Sequence, residues 1–373
     1  MLRAAFRVFC RVLLLPPLAL AAAPASAQTP DAFDAAFRDW MQTNGVDKGT
    51  LAVTYRGRLV LERGYGGQDP GQRVLLASLS KAITGRCIAR LVSDGRLRLD
   101  GKVGDVLAPF FRQAGDPADA RLKDATVEQL LVHRAGFAAA PRDLMTTAAM
   151  DLLQTKKSPA TATPADLLAA TLTAPLASAP GEAFRYSNIG YLTLGVTIET
   201  ITGESYERFC GREMLEAAGI RAPRLDSEWR SFSSFGGWSL SGTEYLAFLA
   251  RDRLRDLPWR GLLAEPDARH AADGAPIPWP SAWYGLGQFM ADITSSSRIA
   301  WHTGTWGVPP STFGMTAMQH QDGAAWFVWY TPRPGKAATD ALVERLAALP
   351  ATITAWPEND LFPERGLPSP AAK

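Results

Sequence analysis

Leu76-Ala-Ser-Leu-Ser-Lys81 sets Ser78 and Lys81 three residues apart where a helical pattern begins. Ile83, Cys87, Leu91 and Val92 continue that pattern as one apolar face, and Gly95 supplies a C-terminal stop. Residues at i and i+3 of a helix project from the same side, so the hydroxyl and the amine meet. A serine hydroxyl is a poor nucleophile until a neighbouring base takes its proton, and a lysine serves only where burial or a nearby cation lowers its pKa. The helix N-terminus adds partial positive charge and free N–H groups for a developing oxyanion. Ser-x-x-Lys is also a common solvated helix start; here the serine follows a loop with Gly64, Gly66, Gly67, Pro70 and Gly71 and heads an apolar helix.

Upstream of that loop, Leu51-Ala-Val-Thr-Tyr55 and Leu59-Val-Leu-Glu-Arg63 read as strands split by Arg56-Gly57-Arg58, a hairpin signal. Before them Phe33, Ala36, Phe37 and Trp40 recur at helical spacing over Asp31–Asn44. Downstream, residues 100–235 are helix-rich. Thr126-Val-Glu-Gln129 is a capping box, Pro164 and Pro175 bracket one helix, and Gly190–Thr202 forms another, closed by Gly203. A second box, Ser241-Gly-Thr-Glu244, opens a helix running to about Leu254. The last third reads as strands over Gly285–Asp292, Ser297–His302, Thr312–His320 and Ala324–Tyr330, the last pair turned by Gln321-Asp-Gly323, then a helix from Lys336 to Leu349.

Strands at both ends of the chain around a central helical block predict an α+β fold: an antiparallel sheet flanked by N- and C-terminal helices with an inserted all-α lobe. The expected division is residues 28–100 and 236–355 in an α/β lobe, 101–235 in the all-α lobe, and a loose Pro-rich C-terminal tail over 356–373. Residues 1–27 read as a signal peptide. Arg3, Arg7 and Arg11 precede a short apolar run broken by Pro16-Pro17, and Ala25-Ser-Ala27 is a small-x-small cleavage site. A periplasmic or secreted location is the expectation, with no stable membrane anchor.

The formal net charge is +2, and residues 1–27 hold three Arg and no acid, so the mature chain is slightly acidic and carries no basic stripe for nucleic acid. A mature chain of about 345 residues can bury a large core, and 47% hydrophobic with 20% charged residues excludes bulk disorder. Cys87 and Cys210 both sit in apolar helical patterns, as a disulfide or as buried free thiols. His-Glu-x-x-His, Gly-x-Ser-x-Gly and phosphate-loop runs are absent from the sequence, and no cofactor or metal is implied.

Two further motifs carry chemistry. In Tyr186-Ser-Asn188 the phenol and the amide, two apart in an extended or turn segment, point to one side. The phenol can pass a proton between nucleophile and leaving group, and the amide can bond both lysine and substrate. In Trp301-His-Thr-Gly-Thr-Trp306, His302 and Thr303 can bind an anionic or carbonyl group. Gly304 can let a substrate backbone approach an edge strand, and the N–H of Thr305 can complete an oxyanion hole with that of Ser78. His133 reads as a framework histidine with its hydrogen bonds satisfied, and Trp283 and Trp306 as candidates to line the cleft.

Ser78-Leu-Ser-Lys81, Tyr186-Ser-Asn188 and His302-Thr-Gly304 stand in the order and approximate spacing of the serine β-lactamase and penicillin-binding-protein superfamily, which the chain resembles over about residues 45–335. Tyr-x-Asn as the second motif resembles the branch of class C β-lactamases, D-alanyl-D-alanine carboxypeptidases and related esterases. Leu91–Asp100, Thr126–Gly136, Gly190–Gly195, Gly236–Ser241 and Tyr284–Gly287 are similar to framework segments of that group. The resemblance implies an acyl-enzyme on Ser78, activated by Lys81 and Tyr186 with the immediate base left open, and Asn188 orienting Lys81 and substrate. His302 departs from the Lys of Lys-Thr-Gly and grips a carboxylate less firmly at pH 7. The expected substrate is a small molecule or short peptide: a D-amino-acid peptide, a β-lactam or a small ester, with peptidase or esterase favoured over an efficient β-lactamase. The competing reading is a catalytically silent periplasmic binding or scaffold protein of the same fold. Oligomeric state is left open.

Overall fold

The computed structural model describes residues 28–155, 160–251, 282–294, 297–307 and 312–370. The expected signal peptide and the end of the helix expected to reach Leu254 lie outside the described residues.

Helix α1 (Asp31–Thr43) leads into β1 (Lys48–Tyr55) and β2 (Arg58–Tyr65). β3 (Val74–Leu75) brings the chain to a 3-10 turn over Ala77–Leu79 and then α2 (Ser80–Ser93). The helical block contains α3 (Val103–Val106), α4 (Ala108–Ala114), α5 (Val127–Leu131), α6 (Thr147–Thr155), α7 (Pro164–Thr171), α8 (Asn188–Thr202), α9 (Tyr206–Cys210) and α10 (Ser233–Gly236). Strand β4 (Arg224–Leu225) lies between α9 and α10, and β5 (Trp238–Leu240) and helix α11 (Gly242–Ala250) follow α10. β6 (Ala282–Gly285), β7 (Gln288–Thr294), β8 (Ser297–Trp306), β9 (Phe313–His320), β10 (Ala324–Thr331) and α12 (Lys336–Ala348) complete the order.

Seven strands form one antiparallel sheet in the order β2-β1-β10-β9-β8-β7-β6, so the two ends of the chain meet where Lys48 pairs with Thr331. Side chains along β10 are buried on both faces because each face is covered. On one side α1 packs with α12: the Trp40 indole N–H donates to the Ala338 carbonyl at 2.7 Å, and its ring meets Tyr330 at 4.8 Å. On the other side α11 lies so close that a Cβ on Gly242 would fall 2.4 Å from the Phe327 ring. Phe33, Phe37, Leu51, Val53, Phe327 and Val328 are fully buried in this core, each worth about 1.5–3 kcal/mol relative to exposure.

The boxes read from sequence form: Thr126 with Gln129, and Ser241 with Glu244. Three expectations change. Gly285–Asp292, read as one strand, runs from the last residue of β6 through the bend of the β6–β7 hairpin and is β7 only from Gln288, because Leu286 (φ 48°) and Gly287 (φ 80°) make a left-handed turn inside the apolar run. The block read as all-α contributes β4 to a small sheet of order β3-β5-β4. The tail read as loose is anchored between Asp360 and Leu367. Phe362 and Leu367 are buried, the Asp360 carboxylate accepts from the Leu59 N–H, and Arg365 pairs with Glu62. Cys87 and Cys210, left open by the sequence, are joined, tying α2 to the end of α9.

Helix α2 is buried on almost every side, as a helix through the middle of a molecule must be. Its fit to the β6–β7 turn explains two glycines. A Cβ on Gly85 would stand 2.3 Å from the Leu286 carbonyl carbon, and one on Gly287 would stand 2.1 Å from the Lys81 carbonyl oxygen.

Candidate active site

Ser78 lies in the 3-10 turn just before α2, half-buried between buried neighbours. Ala77 ahead of it has φ 44°, a left-handed conformation that costs a non-glycine residue energy and gathers at functional sites. This segment is held between two glycines. Gly236 of α10 abuts Ala77, and a Cβ on Gly304 of β8 would stand 2.8 Å from the Leu76 carbonyl and 3.2 Å from the Leu79 side chain. The close approach at Gly304 is therefore made by the turn that carries Ser78, where the sequence suggested a substrate backbone.

One helical turn on, Lys81 is wholly buried. Its Nζ donates to Ser78 Oγ at 3.2 Å, to Asn188 Oδ1 at 2.8 Å and to the Phe235 carbonyl at 3.1 Å. It lies 4.8 Å from the Tyr186 ring centre and 5.5 Å from that of Phe235. Burial pushes the amine down to about 7, opposed by the charge of Asp143.

Tyr186 and Asn188 do point to one side, towards Lys81, because Ser187 between them is extended and turns the other way. The Ser187 hydroxyl donates to the buried Asp143 carboxylate at 3.0 Å while accepting from the Gly190 N–H, capping α8. The same carboxylate accepts from the backbone of Asn188 and, at 3.1 Å, of Ile189. Burial pushes Asp143 up, and these donors and Lys81 oppose it. Burial also raises the Tyr186 phenol, opposed by a hydrogen bond from Ser78.

His302 was expected to face substrate; it is buried instead, and both ring nitrogens are engaged within the chain. Nδ1 stands 2.7 Å from the carbonyl of Thr303, which can only accept, so Nδ1 carries the proton and Nε2 is left as an acceptor. The hydroxyls of Tyr284 (3.1 Å) and Tyr186 (3.4 Å) face that nitrogen. Burial and the Lys81 charge push the ring down to about 3, so it is neutral at pH 7. β8 is interior to the sheet rather than its edge, but β7 pairs with it only up to Trp301, leaving His302–Trp306 without a β7 partner on that side. By the two-residue alternation of a strand, Gly304 shares the face of His302, while the side chains of Thr303 and the exposed Thr305 point to the other face.

The chain matches the Beta-lactamase family model over residues 33–349. It belongs to the beta-lactamase family. The beta-lactamase-family architecture extends to solved structures. D-stereospecific amidohydrolase from Streptomyces sp. superposes with a TM-score of 0.64 at 19% identity, covering 84% of this chain and 97% of that one. D-amino acid amidase from Ochrobactrum anthropi SV3 gives 0.64 at 18% identity, with coverage of 86% and 100%. Protein flp of Staphylococcus aureus (strain MW2) is 25% identical over 227 residues, which are 58% of this chain and 43% of that protein. The chain thus spans less than half the length of that curated relative. At 18–19% identity the two solved structures show a shared fold.

Within that beta-lactamase-family frame, Ser78, Lys81, Tyr186, Asn188 and His302 come together, and the sequence missed Asp143, Phe235 and Tyr284. Phe235 acts through its carbonyl, which no side-chain pattern reveals. Asp143 and Tyr284 reach the site by tertiary approach of distant segments. His133, read as satisfied, is half so: its Nδ1 accepts from the Ser187 N–H at 3.0 Å, and its buried Nε2 has no hydrogen-bond partner. Among the described residues no cluster of His, Cys, Asp and Glu is arranged to hold a metal.

Proposed function

We propose that the protein is an exported serine hydrolase that works through an acyl-enzyme on Ser78. The observation that carries this is the fully buried Lys81 amine, lowered to about 7 and 3.2 Å from Ser78 Oγ. About half the Lys81 side chains are then neutral at pH 7 and able to take a proton. Burial disfavours the Tyr186 phenolate, so Lys81 is the immediate base and Tyr186 the relay.

In the acylation step Ser78 Oγ attacks the acyl carbon as its proton passes to Lys81 Nζ. The oxyanion is received by the backbone N–H groups of Ser78 and Thr305. The intermediate collapses, and the leaving group departs with a proton returned from Lys81 by way of the Tyr186 hydroxyl. Water then attacks the Ser78 ester, giving one proton to the same base, and Ser78 regains its hydrogen as the acid is released.

A neutral His302 with both nitrogens committed supports amide, peptide or ester substrates over an efficient β-lactamase, since nothing at that position grips a carboxylate. Export is supported by the charged, apolar and small-x-small pattern of residues 1–27 and by the Cys87–Cys210 bond, which persists in oxidising compartments. The experiment is to treat the mature protein with a fluorophosphonate and with a labelled penicillin and to map adducts by mass spectrometry. An adduct on Ser78, absent in Ser78→Ala, is expected with the fluorophosphonate. A folded protein that reacts with neither reagent overturns the proposal in favour of a silent binding protein.

A further inference from the structure

Four aromatic rings run outward from the Lys81 amine in one row. Phe235, whose carbonyl accepts from Lys81, has its ring 4.9 Å from that of Phe232. Phe232 is 5.3 Å from Trp229, and Trp229 meets the Trp306 ring at 4.1 Å. The first three lie on the segment leading into and through α10, and the fourth on the last residue of β8. Strand alternation puts Trp306 on the face that also carries His302 and Gly304, the face against Leu76 and Leu79. The row thus begins beside the amine and ends on the strand that packs on the nucleophile's turn.

Phe235 is buried with its ring 5.5 Å from the Lys81 amine, while Trp229, Phe232 and Trp306 are each left half-buried, as is Ser78. Contiguous apolar surface of that kind beside a reacting group marks a binding surface more often than a core. The charged residues on either side of Trp229 in the chain, Glu228 and Arg230, are exposed, and Arg230 is 4.0 Å from Glu207. His302, with both nitrogens used internally, offers the row no charge.

Resting on the acyl-enzyme reading above, we propose that Trp229, Phe232 and Trp306 form the acyl-side-chain subsite, so that the preferred acyl donors carry an uncharged aromatic group next to the scissile carbonyl. Rings of this kind pair edge-on or offset with an incoming aromatic group and exclude a hydrated carboxylate.

Three p-nitrophenyl esters with one leaving group test this: phenylacetate, acetate and hemisuccinate, each kcat/KM divided by the ester's hydroxide rate. The expected order is phenylacetate above acetate by about tenfold or more, with hemisuccinate below acetate. Trp229→Ala and Trp306→Ala should bring the phenylacetate-to-acetate ratio towards one. Trp229→Phe and Trp306→Phe keep a ring and should retain most of the ratio, and they serve if the alanine variants do not fold. Acetate turnover with no aromatic preference, or alanine variants that fold and keep the ratio, overturns the subsite alone. No turnover of any ester and no fluorophosphonate adduct on Ser78 overturns the acyl-enzyme reading and the subsite with it.

Discussion

The side-chain oxygen of Asn188 accepts from Lys81 Nζ at 2.8 Å, and the backbone of the same asparagine is held by the Asp143 carboxylate. Asn188 is the first residue of α8, so the cap that starts the helix also sets the position of the amine. A buried amine with three acceptors is oriented on Ser78, and removing the shortest of those three contacts frees it. Asn188→Ala is expected to lower kcat/KM on an activated ester on the order of a hundredfold. An ester assay with a circular-dichroism check of folding measures this; a folded variant within threefold of wild type would contradict the role.

The pH dependence follows from the same amine. Lys81 must be neutral to accept the Ser78 proton, and burial lowers it to about 7, so kcat/KM should rise with pH through one ionisation near 7. The Asp143 charge acts upward on that amine. Asp143→Asn removes the charge, so the acid limb should move to lower pH while the amide still occupies the same pocket. A purely structural Asp143 would reduce activity at every pH and leave the midpoint where it is.

Stability carries the same signature with a fixed sign. Between about 7, the folded value, and 10.5, the ordinary lysine value that the unfolded chain takes, the unfolded state binds a proton that the folded state lacks. Stability from this group therefore rises with pH across that window, and below 7 it contributes no slope. Urea denaturation at pH 7 and pH 9 should show a rise of about 1–3 kcal/mol attributable to Lys81. Lys81→Met should lose that increment; an equal rise in the variant would assign it to other groups.

The sequence made the local half of this site legible and left the rest hidden, for reasons that can be named. Ser78 and Lys81 are one turn apart on one helix, so their meeting is set by helix geometry alone. Tyr186 and Asn188 are separated by one extended residue, which again fixes their side. His302 was found by position, but its burial depends on Tyr284 closing over it from β6, and no spacing encodes that. The β6–β7 hairpin was missed because Gly285-Leu-Gly287 places a leucine at φ 48° inside an apolar run, without the Asn-Gly or Asp-Gly pair that usually marks such a bend. The tail was read as loose from its prolines, yet Phe362 and Leu367 find apolar partners that only the folded sheet presents.

Two glycines with positive φ separate backbone strain from collision. A methyl added at Gly95 (φ 69°) would have no atom within 4 Å, so Gly95→Ala meets only the left-handed conformational cost of roughly 1–2 kcal/mol. Gly287 (φ 80°) would place the same methyl 2.1 Å from the Lys81 carbonyl oxygen and 2.4 Å from the Ala82 nitrogen. Backbone cannot move aside as a side chain can. Gly287→Ala should therefore destabilise well beyond Gly95→Ala and also depress ester turnover, since the clash bears on the helix turn that carries Lys81. Thermal melts and ester rates on both variants check this; equal melting temperatures would sink the packing argument.

The C-terminal segment supplies the last test. Phe362 is fully buried, next to Asp360 accepting from the Leu59 N–H, with the Leu361 N–H donating back to the Leu59 carbonyl and Arg365 paired to the buried Glu62. This clamps the tail on β2, whose outer side has no other strand in the seven-stranded sheet. A strand edge covered in this way is protected from pairing with a second molecule. Phe362→Ala should cost about 3–5 kcal/mol, the usual loss for a fully buried phenylalanine. Ending the chain at residue 355 should cost more and promote aggregation, because it uncovers the β2 edge as well. Chemical denaturation and light scattering measure the two effects, and a truncated protein with wild-type stability that stays monodisperse would show that the tail does not support β2.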